Sequence, residues 1–198
     1  MKPFSEASEN NREPILAILH QALAAVRTVL EIGSGTGQHA VYFARKMPHL
    51  TWQTSDLSSN HAGILLWLEE AALANTRPPL VIDVNVQPWP IAEVDGIFTA
   101  NTLHIISWPE VERLFRGAGQ ILQPGGIMCV YGPFNYGGQF TSPSNERFDA
   151  WLKARDPASG VRDFEAVCAS AEQHGLTLTF DHPMPVNNRT LVFRKQAY

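Results

Sequence analysis

The chain has 198 residues, of which 44% are hydrophobic and 17% charged, and its formal net charge is −4. That balance is one of a soluble globular chain with enough apolar surface for a substantial core, most simply a single domain over residues 1–198. A dedicated nucleic-acid surface needs clustered Lys and Arg, which are absent here, and no apolar run approaches the length of a membrane span.

Small molecules are therefore the expected partners, with no nucleic acid and no membrane. Cys129 and Cys168 sit in apolar runs without metal-ligand spacing, and the first residues lack a signal-peptide pattern. A cytoplasmic protein with reduced thiols and no metal site is expected.

Residues 1–26 read as a polar flap followed by a helix. Pro14 suits a first helical turn, with Asn10 and Asn11 before it as caps. Ile15, Leu16, Ile18, Leu19, Ala22 and Leu23 then give an apolar face. Phe4, Ser5, Ser8, Asn11 and Arg12 are placed to cover a ligand.

The segment T-V-L-E-I-G-S-G-T-G-Q-H-A, Thr28 to Ala40, changes period from strand to helix across three glycines. Strand, glycine loop and helix in that order form a nucleotide-binding unit. Glycine lets the loop turn tightly and lets a ligand touch backbone, and the helix start offers unpaired N–H groups. The dinucleotide pattern requires glycine in first, third and sixth place, and here Gln38 holds the sixth. Asp56 ends the next strand about 20 residues further on, where an acidic side chain can accept from ribose hydroxyls. It can instead cap the following helix.

The run E-I-G-S-G-T-G resembles motif I of the class I S-adenosylmethionine-dependent methyltransferases, and L-Q-P-G-G-I-M-C-V-Y, Leu122 to Tyr131, resembles their segment before strand five. The resemblance implies S-adenosylmethionine as cofactor, with Glu31, Gly33, Gly35, Gly37 and Asp56 around it. It also implies Asp83 at the adenine amino group, the Val84 N–H at a ring nitrogen, and Asn101 near the methionine part. F-S-E-A-S-E-N-N-R-E-P-I-L near the start, with Y-G-P-F, R-D-P, G-V-R-D-F-E and P-V-N-N-R-T-L-V-F-R later, is similar to a family of unknown function that includes methyltransferase-like 26. Where that family usually shows A-A-E-R-N-K this chain has A-S-E-N-N-R: Arg12 keeps the positive charge and Asn10 is neutral.

Further helices are expected over His61–Ala74, ended before Pro78 and Pro79, and from Ser107, where S-W-P-E reads as a capping box, to about Leu122. Strands are expected at Leu50–Ser55, Leu80–Ile82, Val94–Ala100 and Ile127–Tyr131. Residues 132–165 read as a substrate-side insertion, because the stretch from Tyr136 to Asn145 is too polar for core and too aromatic for a linker. Phe134, Asn135, Tyr136, Phe140, Thr141 and Ser142 are its candidate contacts. Helices over Ser144–Lys153 and Asp163–His174 follow, the latter capped by Asp163. Arg162 either pairs with Asp163 or holds an anionic substrate. The catalytic residue is unassigned, with His104 and Tyr136 as candidates; a histidine near neutral pKa can act as a base.

Leu176–Phe180 and Thr190–Arg194 close the chain as an antiparallel hairpin. The expected fold is α/β: a Rossmann-like, mostly parallel sheet of seven strands in order 3-2-1-4-5-7-6, with helices on both faces. The expected function is methyl transfer from S-adenosylmethionine to a small molecule. The alternatives are a non-catalytic S-adenosylmethionine-binding or protein-interaction module and, behind it, a nucleotide-dependent oxidoreductase.

Overall fold

In the computed structural model, which describes residues 2–197, the run Thr28–Ile32 forms strand β1 at the middle of a sheet. Met1 and Tyr198, the ends of the expected span, lie outside the described residues. Strands β2 (Thr51–Asp56) and β4 (Val94–Ala100) flank β1 in parallel. Strand β3 (Thr76–Val81) forms the edge beyond β2, and β5 (Leu122–Asn135) lies beside β4, both parallel to their neighbours. The chain then adds β7 (Leu176–Met184) and β8 (Asn188–Lys195), with β8 antiparallel to both β5 and β7.

The order β3-β2-β1-β4-β5-β8-β7 matches the expected one apart from numbering. A two-residue strand, β6 (Arg162–Asp163), pairs with the end of β5 and makes eight strands rather than seven.

Residue alternation explains the layers. Leu30, Ile97, Met128, Val130 and Leu191 point to one face, covered by α4 (Trp108–Ile121) and α6 (Phe164–Glu172). Val29, Trp52, Phe98, Cys129 and Val192 point to the other, covered by α1 (Glu6–Ala22), α2 (Gln38–Lys46) and α3 (His61–Ala71). Covered on both sides, the central strands are apolar on both sides. Cys129 and Cys168 are free thiols. Among the described residues no helix is long and apolar enough to cross a membrane.

Several boundaries differ from the sequence reading. Helix α1 begins eight residues before Pro14, at Glu6; the Ser5 hydroxyl caps it by accepting from Ser8 N at 3.2 Å, and Pro14 lies inside it. A serine cap with Glu6 and Glu9 in the first turn is a better start than one at Asn10 or Asn11. Helix α3 stops at Ala71, where Ala72 turns left-handed. Pro78 and Pro79 lie within β3, which an edge strand tolerates because one row of its N–H groups faces outward. Strand β5 extends past Tyr131 to Asn135, which changes where the expected contact residues point. Helix α6 is shorter than expected, and Asp163 precedes it without a side-chain cap bond.

Candidate functional site

The ends of β1, β2, β3 and β4 meet around the glycine loop, as the switch-point rule for parallel sheets requires. Gly33, Gly35 and Gly37 all have left-handed backbones, with φ of 72°, 56° and 89°. A Cβ at Gly33 would lie 2.9 Å from Thr102 Oγ1, and one at Gly37 would lie 3.1 Å from the backbone of Ile64. At Gly35 a Cβ would meet nothing within 4 Å. Two glycines thus serve packing, while the third faces open space where a ligand can reach the loop.

Beneath the loop, Glu31 is buried and its Oε2 accepts from Ser34 Oγ at 2.8 Å and from Trp52 Nε1 at 3.1 Å. Burial raises its pKa to about 7, helped by the nearby charge of Asp56 and opposed by the two hydrogen bonds. Glu31 therefore acts on the loop through Ser34. Asp56 pins the same loop from the side: Oδ2 accepts from Gly35 N at 2.7 Å, and Oδ1 accepts from Leu57 N and Asn60 Nδ2, each at 2.8 Å. Asp83 follows β3 and accepts from Asn85 N at 2.8 Å, while Val84 packs on the core. Asn101, left-handed at φ 57°, directly follows β4 and donates its N–H to Tyr131 O at 2.9 Å.

Gln38 is a site residue that the sequence reading passed over. In the place a dinucleotide loop keeps for glycine, its Oε1 accepts from Ser5 N at 2.6 Å, tying the start of α1 to the glycine loop. The N-terminal segment is further held by Trp67 Nε1 donating to Pro3 O at 2.7 Å.

Beside Asn101 opens a cavity of about 410 Å³. Helix α1 lines it with Ala7, Asn10, Asn11 and Pro14, the spacing of one helical face. Tyr131 and Pro133 of β5 form its floor. Its far wall comes from Asn145 and Phe148 of helix α5 (Pro143–Arg155) and from Val186 and Asn188 at the hairpin. The helical spacing of Ala7 to Pro14 was visible in the sequence, but only a helix starting at Glu6, capped by Ser5, puts those residues on one wall.

Most of the expected contact residues lie elsewhere. Phe134 is 1% exposed and belongs to the core on the α4 side, since a strand that runs on to Asn135 alternates and sends Tyr131 and Pro133 to the cavity instead. Tyr136 turns toward the hairpin: its hydroxyl donates to Asp181 Oδ2 at 2.8 Å and its ring stacks on Phe164 at 4.7 Å. Burial and the Asp181 carboxylate push its pKa up, and it is not among the residues lining the cavity. Asn135 is half-buried, its Nδ2 donating to Val161 O at 3.5 Å and its Oδ1 without a partner. The loop after Tyr136 closes on itself and on α6, with Gly137 N donating to Glu165 and Gly138 N to Asp163.

Arg162 is also committed. Its guanidinium donates to the carbonyl oxygens of Leu103, Ile106 and Ala158, bracing the segment that carries His104. Three backbone acceptors give it a bracing role that neither the ion pair with Asp163 nor the anion-holding reading named. His104 itself is 5% exposed, with its ring edge-on to Phe148 at 5.2 Å. Burial, then the Arg162 charge, lowers its pKa to about 4. It stands neutral just behind the cavity wall.

A model described as "Protein of unknown function (DUF938)" matches residues 2–195. The chain belongs to that family. Among solved structures, this DUF938 protein is similar to an O-methyltransferase family 2 protein from Planctomyces limnophilus in complex with apigenin, at 16% identity, over 96% of this chain and 57% of that one, with a TM-score of 0.84. It is similar to human N-acetylserotonin methyltransferase in complex with S-adenosylmethionine at 16% identity, over 97% and 53%, with a TM-score of 0.80. An S-adenosylmethionine-dependent methyltransferase in its apo form matches at 21% identity, over 96% and 56%, with a TM-score of 0.81. The DUF938 chain spans little more than half the length of these structures. At such identities the likeness is one of fold, and the fold is that of the S-adenosylmethionine-dependent methyltransferases.

Proposed function

We propose that this DUF938 protein is an S-adenosylmethionine-dependent methyltransferase whose acceptor is a small molecule. One observation carries the reading: Asn101 directly follows β4, the strand paired with the β1 that leads into the glycine loop, and also lines the adjoining cavity. A methyl donor in the cleft and an acceptor in the cavity would meet there. The open space over Gly35 is where a Cβ would obstruct a cofactor, and the loop residues fit one.

When bound, S-adenosylmethionine supplies an electrophilic methyl group on a sulfonium. Asp56 takes the ribose hydroxyls, Asp83 the adenine amino group, the Val84 N–H a ring nitrogen, and Asn101 the methionine part. Glu31 holds the loop through Ser34. The flap, α1 and the segment over 132–165 frame the acceptor, whose alignment and shielding from water can provide much of the rate. The N- and C-terminal sequence runs support a place beside methyltransferase-like 26 within this fold.

A second reading, a cofactor-binding or partner-binding module without catalysis, is favoured by the cavity wall, where no lining residue is a base titrating near neutrality. A nucleotide-dependent oxidoreductase is disfavoured by Gln38, whose side chain fills the dinucleotide loop's glycine place.

Calorimetric titration with S-adenosylmethionine, S-adenosylhomocysteine and NAD in parallel tests these readings. Micromolar binding of the first two without NAD supports the methyltransferase, and Asp56→Ala should then weaken both sharply. NAD binding alone overturns it, and binding of none leaves the partner-binding module.

A further inference from the structure

The cavity wall has a chemical bias that methyl transfer alone does not specify. None of the residues lining it carries a formal charge; amides, prolines and two aromatic rings dominate. Three ion pairs on the same elements neutralise their members: Arg12 with Glu9 on α1, Lys153 with Asp149 on α5, and Arg189 with Asp181 on the hairpin. Glu6, Glu13, Glu146 and Arg147 are exposed and do not line the cavity. Tyr131, whose phenol sits beside Asn11 and Asn188, is held neutral by its burial. An ion entering such a cavity would lose water without gaining a counter-charge, which costs far more than burying a hydroxyl or an amide that finds a partner.

Helix α1 adds a specific feature to this wall. Pro14 has no N–H, so the Asn10 carbonyl, four residues earlier, receives no helical hydrogen bond from it. Both residues line the cavity. An interior proline is among the costliest residues a helix can carry, and here it removes the usual helical donor from the backbone acceptor of a residue that lines the cavity. Across the cavity, Asn145 has already spent its Nδ2 on Thr141 Oγ1 and Asn187 O, which fixes that amide in place. The volume, in the lower part of the range for small-molecule sites, has room for a molecule of one or two rings.

We propose that this cavity selects an uncharged, ring-sized hydroxyl or amide compound that donates a hydrogen bond to the Asn10 carbonyl, and that it rejects carboxylates, phosphates and ammonium ions. Calling that compound the methyl acceptor rests on the methyltransferase reading. The charge selectivity itself does not.

The test uses the full chain and hydroxylated one- and two-ring compounds in matched neutral, carboxylate and amine forms, the smallest set being 4-hydroxybenzamide, 4-hydroxybenzoate and tyramine. Binding is measured with and without S-adenosylhomocysteine. Neutral members should bind at least tenfold tighter than their charged counterparts. Equal or tighter binding of a charged form overturns the proposal, as does the absence of any neutral binder at millimolar concentration.

Two variants test the wall itself. Asn10→Asp should move the preference tenfold or more toward the amines, and an unmoved preference would remove Asn10 from the wall. Pro14→Ala restores the helical donor, so it should raise the melting temperature while weakening neutral binders several-fold; unchanged binding would sink the role of the Asn10 carbonyl. Selective neutral binding in a protein that ignores S-adenosylhomocysteine would overturn the methyltransferase reading and leave the selectivity standing.

Discussion

The three loop glycines share a left-handed backbone, yet their surroundings set them apart. Gly37→Ala forces a side chain against the Ile64 backbone at 3.1 Å as well as a strained φ, and should destabilise the fold by several kcal/mol, read by denaturant unfolding. Gly35→Ala carries only the left-handed penalty of about 1–2 kcal/mol, because its Cβ points into open space. It should fold and still lose affinity for S-adenosylhomocysteine; retained affinity would remove Gly35 from the ligand contact. Asp56 takes on a role that neither sequence reading named, since it bonds the glycine loop through Gly35 N as well as accepting from the start of the next helical turn. His104 separates residue type from residue chemistry. Its pKa of about 4 predicts that its ring stays neutral until the pH falls near that value, followed by NMR of the imidazole. A titration midpoint near 6.5 would show instead an imidazole open to solvent and available as a base.

At the scale of elements, α1 and β5 place the cavity. The first carries the wall and the second the floor, and each runs further than its local sequence signals indicate. Pro14 and the two asparagines before it are a legitimate helix start when read alone. Ser5 wins because the longer helix buries Ile15, Leu16 and Leu19 just as well while gaining two more turns of backbone bonds. Removing that cap with Ser5→Ala should cost about 1 kcal/mol, and it should weaken ligands of the cavity more than a remote change of equal cost. A parallel loss of stability and binding in both variants would show that the cap does not position the wall. The extension of β5 to Asn135 has the opposite lesson for Phe134 and Tyr136. Once pairing with β8 and β6 continues past Tyr131, alternation commits Phe134 to the core. The hairpin then claims Tyr136 through Asp181.

For the whole molecule, three buried groups set the response to acid. His39 and His104 both have pKa values lowered to about 4, chiefly by burial. Between pH 4 and 6.5 the unfolded chain binds protons at these sites that the folded chain does not, so stability falls as the pH falls through that window. Glu31 works the other way: with its pKa raised to about 7, it is protonated in the folded state where the unfolded state is not. Its contribution is fully present below about pH 4.5 and is lost as the pH rises through 7. Two histidines outweigh one glutamate, so unfolding free energy should drop on acidification from pH 6.5 to 4.5. Glu31→Gln keeps a neutral partner for Ser34 and Trp52 and removes the opposing titration. Its stability should fall more steeply over that window and flatten between pH 6.5 and 7, where Glu31 alone titrates. A pH profile identical to that of the unaltered chain would mean that Glu31 titrates normally.

What the sequence determined by itself was local or periodic: the glycine loop, the acidic residues at the strand ends, the alternation of strands and helices, and from these the sheet order. Each rests on interactions among residues close in the chain, or on a period of two or 3.6 that survives any surroundings. What only the tertiary structure decided was which polar residues line the cavity. Arg162, Tyr136 and Phe134 looked available because their partners are carbonyls, a carboxylate and a core contributed by distant segments. Asn10, Asn145 and Asn188 looked ordinary because three segments far apart in sequence must meet before they enclose a cavity. A side chain's role in a site depends on what else has already claimed its hydrogen bonds and its face, and that is settled only when the long-range contacts form.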